Sequence, residues 1–204
     1  MIQENYFRDN EKIKDNNIIN EIKEFQNNYY SIHKKNFFFK KKQKLDCANN
    51  ICDHFSLDDL ISKTIYIIPD TNIVFLDYTL FKLFANPDNY EFLVNNIILL
   101  FQNRIDNFNN FELHVNLDNF TISSLERYKS IINTFINKCL SNNTTYIFSM
   151  NNIHIYNVPK SFDTIITALK SVIHKDVYKK LILCDEKTSK EKIEYFYNIR
   201  DNIN

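Results

Sequence analysis

The sequence predicts an α/β fold, a mostly parallel sheet flanked by helices, on two observations. Short runs of β-branched and aromatic residues alternate along the chain with longer apolar patterns of helical period. The run at 111–117 also alternates strictly: Phe111, Leu113, Val115 and Leu117 are separated by Glu112, His114 and Asn116, so one side of that strand is apolar and the other polar. Strands that alternate with helices pair in parallel, because a parallel pair needs a crossover long enough to hold a helix.

The elements follow in order. Ile18, Ile19, Ile22, Phe25 and Tyr29 recur at helical spacing and predict a helix over 11–30. Ser56 before Leu57-Asp58-Asp59-Leu60 reads as a capped short helix. Thr64 to Ile68 reads as a strand that ends at Pro69-Asp70. Asn86-Pro87 opens a helix with Pro at its first position, carried by Tyr90, Leu93, Val94, Ile97, Ile98 and Phe101 to about Asn103. After the strand at 111–117, Thr121 to Leu140 keeps Ile122, Leu125, Tyr128, Ile132, Phe135, Ile136 and Leu140 on one helical face. Strands are expected at 146–148 and 153–156, a helix from Pro159 to Ile173, a last strand at 181–183 and a last helix at 188–200.

Composition excludes more than it suggests. The 204 residues contain no Gly and no Trp, but 31 Asn and 29 Ile. Residues of A/T-rich codons dominate, a skew of genome composition such as some protists and large DNA viruses show. Without Gly there is no phosphate-cradling P-loop, no G-x-G-x-x-G dinucleotide turn, no kinase glycine loop and no G-x-S-x-G elbow. Asn is the next residue to accept a left-handed backbone, so Asn109-Asn110, Asn142-Asn143 and Asn151-Asn152 are expected to make turns.

The N-terminal stretch is polar and mixed in charge, which does not read as a secretory signal. The longest apolar run, Ile97 to Phe101, is far short of the roughly 20 residues that span a bilayer. The expected compartment is a reducing cytoplasm, with peripheral membrane attachment. Cys139 and Cys184 read as small buried hydrophobes, and Cys47-x4-Cys52-Asp53-His54 matches no common zinc spacing, so no metal site is assigned.

Charge is zero overall but uneven. Residues 33–44, HKKNFFFKKKQK, hold six lysines and no acid between two mildly acidic parts. At an anionic bilayer each lysine contributes about 1 kcal/mol, and Phe37, Phe38 and Phe39 can sit in the interface. Lys34, Lys35, Lys40, Lys41 and Lys42 complete that membrane-contact set. The same residues could hold RNA, with rings stacking on bases, serve as an import signal, or be a solvated charge run beside core phenylalanines. Nucleic acid is not the expected partner.

His114, His154 and His174 invite a catalytic reading. A nucleophile–base pair with an oxyanion donor is not visible beside them, and His114 and His154 read as ordinary polar positions on sheet faces. Ser123-Ser124 reads as a helix first turn and Asp118 as a turn or cap. No catalytic residue and no cofactor is assigned.

The ordered pieces over 111–183 resemble the CRAL-TRIO domain family. Asp118-Asn119 stands for the family's Asp-x-x-Gly turn, with Asn119 in place of Gly. Asn157-Val158-Pro159 stands for its second turn, Phe162 for the aromatic after it, Lys170 for the helix-end lysine, and Lys180-Leu181-Ile182-Leu183 for the final strand. The resemblance implies a lipid groove lined by Phe162, Ile166, Leu169 and Ile173, with Lys170 also on the lipid. Of the pair that meets an inositol headgroup in some members, only Lys170 carries over. The resemblance thus implies a CRAL-TRIO-like domain over 61–204 after a helical and basic arm over 1–60. Its implied role is non-enzymatic binding of a lipid or an anionic membrane surface. The alternative is a protein-interaction module, such as a GTPase regulator or scaffold, that keeps the fold without the cavity.

Overall fold

A computed structural model describes residues 18–33, 40–140 and 145–202. Residues 18–32 form helix α1 as far as it is described, followed by α2 (Lys40–His54), α3 (Leu57–Thr64), β1 (Ile65–Ile67), β2 (Ile73–Asp77), α4 (Tyr78–Phe84), α5 (Tyr90–Phe108) and β3 (Phe111–Asn116). Then come α6 (Ile122–Arg127), α7 (Lys129–Phe135), a π-helical turn (Ile136–Leu140), α8 (Tyr146–Ser149), β4 (Met150–Tyr156), α9 (Phe162–Leu169), α10 (Lys175–Lys179), β5 (Leu181–Leu183) and α11 (Glu186–Arg200). The α/β class holds: five strands form one sheet in the order β1-β2-β3-β4-β5, antiparallel between β1 and β2 and parallel from β2 to β5.

That monotonic order governs the layers. Parallel crossovers are right-handed, and when each new strand is added on the same side, every right-handed crossover passes over the same face. The connections β2–β3, β3–β4 and β4–β5 therefore put α4 to α10 on one face. The other face is left to α11. The two faces accordingly have separate cores: one joins Val74, Leu113, Ile153 and Ile155 to the crossover helices, the other joins Tyr66, Phe75 and Tyr156 to Ile193 and Phe196. Ile19 and Ile22 of α1 and Cys47 and Ile51 of α2 belong to the first core.

Side-chain chemistry sets the element ends. The Ser56 hydroxyl accepts the Asp59 N–H at the start of α3 (3.5 Å), and Thr121 and Asp185 accept from Ser124 and Thr188 at the starts of α6 and α11. Without Gly, the left-handed positions fall to Asp70, Asn109, Asn119 and Asn157, with φ of 57°, 60°, 62° and 50°. Asn109 ends α5 in that conformation, and Asn119 adopts it in the turn after β3. Asn151-Asn152 make no turn; they lie within β4. Asn142-Asn143 lie outside the described residues, as do residues 11–17 of the expected first helix.

Other expectations shift. The expected strand at 146–148 is helix α8, because the Lys180 ammonium binds the carbonyls of Ile147 and Met150 and ends a short helical turn there. The helix placed at Pro87 begins at Tyr90, since the Asn89 side-chain oxygen accepts the Asn86 N–H and the Asn86 side-chain oxygen accepts the Asp88 N–H, which holds residues 86–89 in a turn. Likewise α9 begins at Phe162, three residues after Pro159, whose carbonyl accepts the Phe162 N–H. The segment from Thr121 breaks at Tyr128 and finishes as the π turn.

Candidate functional site

The crossover helices do not close on the sheet everywhere. Between them lies a partly open cavity of about 250 Å³. Its floor is the apolar side of the strands: Leu76 on β2, Leu113 and Val115 on β3, Ile153 and Ile155 on β4, and Leu181 on β5. Its walls are Val94 and Ile97 of α5, Ile131, Ile132 and Phe135 of α7, and Ile136 and Leu140 of the π turn. Tyr78, Phe81 and Tyr128 close one end in a ring cluster, with centroids 5.2–6.4 Å apart. Every lining residue is aliphatic or aromatic. A hollow lined in this way does not hold ordered water and takes apolar matter instead.

Phe162, Ile166, Leu169 and Ile173 all line this cavity. Lys170 does not; it is exposed, just beyond the last turn of α9. Lys34, Lys35, Phe37, Phe38 and Phe39 lie outside the described residues. Of the remaining basic set, Lys40 opens α2, and Lys41 and Lys42 are exposed on it. Among the described residues, no helix is long and apolar enough to cross a membrane.

The opposite face holds groups that sequence reasoning undervalued. Parallel register sets His114 beside His154, with rings stacked at 4.3 Å, and Glu112 shares their face two residues before His114. Glu112 Oε2 lies 3.3 Å from His114 Nε2 and 3.5 Å from His154 Nε2. His114 Nδ1 lies 2.8 Å from the Tyr156 hydroxyl, and the Phe196 ring abuts His114 at 5.4 Å. Far from an ordinary surface position, His114 is 4% exposed. Burial first, and then the neighbouring His154, hold its pKa well below the ordinary imidazole value against the raising effect of Glu112. Burial lowers His154 too, partly offset by Glu112. Burial likewise raises the Tyr156 phenol. The strict alternation of 111–117 signalled a polar face; only the β3–β4 register could show that two histidines meet there.

A second polar group gathers where β2, β3 and β4 end. Asp77 accepts the backbone N–H and hydroxyl of Thr79 to cap α4, and it accepts from Asn116 Nδ2 at 3.1 Å. Asn116 Nδ2 also donates to the Tyr197 hydroxyl, Asn157 Nδ2 donates to Asn116 Oδ1 at 2.8 Å, and Arg200 Nη1 sits 3.8 Å from Asp77 Oδ2. These bonds fasten α11 across the strand ends. Burial pushes the Cys47 thiol up to about 11 and that of Cys139 up to about 12, so both are unreactive packing groups.

With this geometry established, comparison with known proteins is specific. The family model for the CRAL/TRIO domain matches residues 89–201, more than half of the chain. A search of curated proteins found no match. Domains of this family are in general ligand-binding transfer proteins, not enzymes, and their ligands are lipids and other small lipophilic molecules. The match spans β3 to β5 and α5 to α11; β2 and α4, which add Leu76, Tyr78 and Phe81 to the cavity lining, precede it.

Proposed function

This chain belongs to the CRAL/TRIO domain family, and we propose that it acts by binding one lipophilic molecule in the cavity between the sheet and α5–α9. The observation that carries this reading is the wholly apolar lining around about 250 Å³ of space. A hollow of about 150 Å³ is enough for benzene, so this one suits on the order of ten carbon atoms: a single acyl or prenyl segment, or a small ring system. Two acyl chains of a phospholipid exceed it. Phe162, Ile166, Leu169 and Ile173 would contact the apolar part. Lys170, exposed next to Leu169, would meet an anionic head outside.

The basic segment at 33–44 would then hold the domain on anionic membrane, where a lipophilic ligand is collected or released. Six lysines at about 1 kcal/mol each suffice for reversible attachment.

Native mass spectrometry of the purified chain, followed by solvent extraction, tests the cavity. One co-purified lipophilic molecule per chain is the expected result. A bare 24.5 kDa species that also refuses a fatty acid offered in excess contradicts the reading and favours an interaction module. Flotation with vesicles containing phosphatidylserine tests the arm. Changing Lys40, Lys41 and Lys42 to Ala is expected to reduce binding at least tenfold; undiminished binding removes the arm from the mechanism.

A further inference from the structure

Glu112, His114 and His154 lie on the face of the sheet away from the cavity, and neither the fold nor lipid binding requires that combination. We propose that they form a zinc-type divalent metal site, with His114 Nε2, His154 Nε2 and Glu112 Oε2 as ligands and a solvent oxygen in the fourth position.

The distances support coordination. Zinc binds imidazole nitrogen and carboxylate oxygen at about 2.0–2.1 Å in a tetrahedron, whose edges between ligand atoms are then about 3.3–3.4 Å. Glu112 Oε2 stands 3.3 Å from one Nε2 and 3.5 Å from the other; one ring nitrogen of each histidine and that oxygen fall within 4.8 Å of one another, so the stacked rings must turn toward each other to close the third edge around an ion. Charge-assisted N–H···O bonds are shorter, at about 2.7–2.9 Å. Both separations are therefore long for hydrogen bonds and close to tetrahedral edges.

The surroundings fit as well. A ligating histidine donates its other ring N–H to a fixed acceptor, and His114 Nδ1 has the Tyr156 hydroxyl oxygen 2.8 Å away. The His114 side chain is 6% exposed, whereas those of Glu112 and His154 are 23% and 21% exposed. One ligand is thus anchored in the core, and the other two border the route by which an ion and its water enter. Two histidines with one carboxylate suit zinc and its neighbours among the first-row ions, not calcium or magnesium, which take oxygen ligands. With the ion on Nε2, each histidine is a neutral imidazole that carries its ring proton on Nδ1.

The test uses the full chain after chelation, with zinc alone as the probe in calorimetry and cobalt(II) as its spectroscopic substitute. The proposal expects one ion per chain and a cobalt spectrum without a sulfur charge-transfer band. Affinity should fall at least tenfold in Glu112→Gln and in His154→Asn, and stay unchanged in Cys184→Ser, the thiol nearest Tyr156. Imidazole nitrogen NMR of the unaltered chain covers the case in which the variants fail to fold: zinc should shift Nε2 of both histidines. Absence of binding, equal affinity in the variants, a cobalt–sulfur band, or unshifted Nε2 signals would each overturn the site.

Discussion

Along β3, Leu113 and Val115 point toward the crossover helices, while Glu112, His114 and Asn116 point toward α11. Along β4, Ile153 and Ile155 share the first side, and His154 and Tyr156 the second. The same strands thus carry two opposite kinds of interior. On the crossover side the lining is apolar and about 250 Å³ is left unfilled. On the α11 side, rings pack within 4.3–5.9 Å of one another and His114, Asn116 and Tyr156 are held in hydrogen bonds. Were the hollow fully enclosed, at roughly 24 cal/mol per Å³ leaving it empty would cost about 6 kcal/mol relative to a filled one; its opening to solvent makes the cost smaller. Typical domains are stable by only about 5–15 kcal/mol. The difference teaches that the fold tolerates space where several separate helices must bridge one sheet, and that a ligand held there, as proposed, would recover the lost contacts. The single helix on the other face packs the Phe196 ring directly on Phe75, His114 and Tyr156 of the sheet.

Substitutions can break this contrast. The largest effect is expected for Phe196→Ala, which removes the ring that packs on Phe75 at 4.6 Å and on His114; loss of about 3–5 kcal/mol in denaturant unfolding is expected. A loss below 1 kcal/mol would mean the α11 face is not close-packed. Enlarging a side chain should then separate the faces. Ile193→Phe, under α11, is expected to cost about 1–3 kcal/mol by overpacking, whereas Ile166→Phe, beside the hollow, should change stability by less than about 1 kcal/mol and weaken ligand binding. Equal costs at both positions would erase the distinction.

Acid sharpens it further. Burial holds His114 and His154 neutral in the folded chain, so the unfolded chain binds more protons once pH falls below about 6.5. In the metal-free chain their contribution to stability is full above that pH and is lost as pH falls toward their lowered values. Urea midpoints measured across pH 7.5 to 4.5 should decline more steeply for the native sequence than for His154→Gln; parallel curves would remove the histidines as the cause. The smallest effect belongs to the glycine-free turns. Asn109→Ala at φ 60° is expected to lose about 1 kcal/mol, and Asn109→Gly almost nothing.

The sequence shows the strict alternation of 111–117 and the helical face of Phe162, Ile166, Leu169 and Ile173 plainly, and with them the floor and one wall of the cavity. It hides β2 and α4. Ile73 to Phe84 is a nearly unbroken apolar stretch in which only Asp77, capping α4, marks the boundary; no Gly or Pro punctuates it. The 146–148 run has strand composition, yet a lysine 30 residues away ends it as a helix. The Glu112–His114–His154 group needs the β3–β4 register, which depends on how a crossover of more than thirty residues packs. No local period carries that information.

The most direct test of the open face is titration of the delipidated chain with a fluorescent single-chain fatty acid, beside the variant Ile166→Trp, whose indole occupies the hollow. Saturable binding of one molecule per native chain, with at least tenfold weaker binding to the filled variant, is the result predicted. No saturable binding, or equal binding to both chains, would contradict the claim that this face of the sheet is kept open for a ligand.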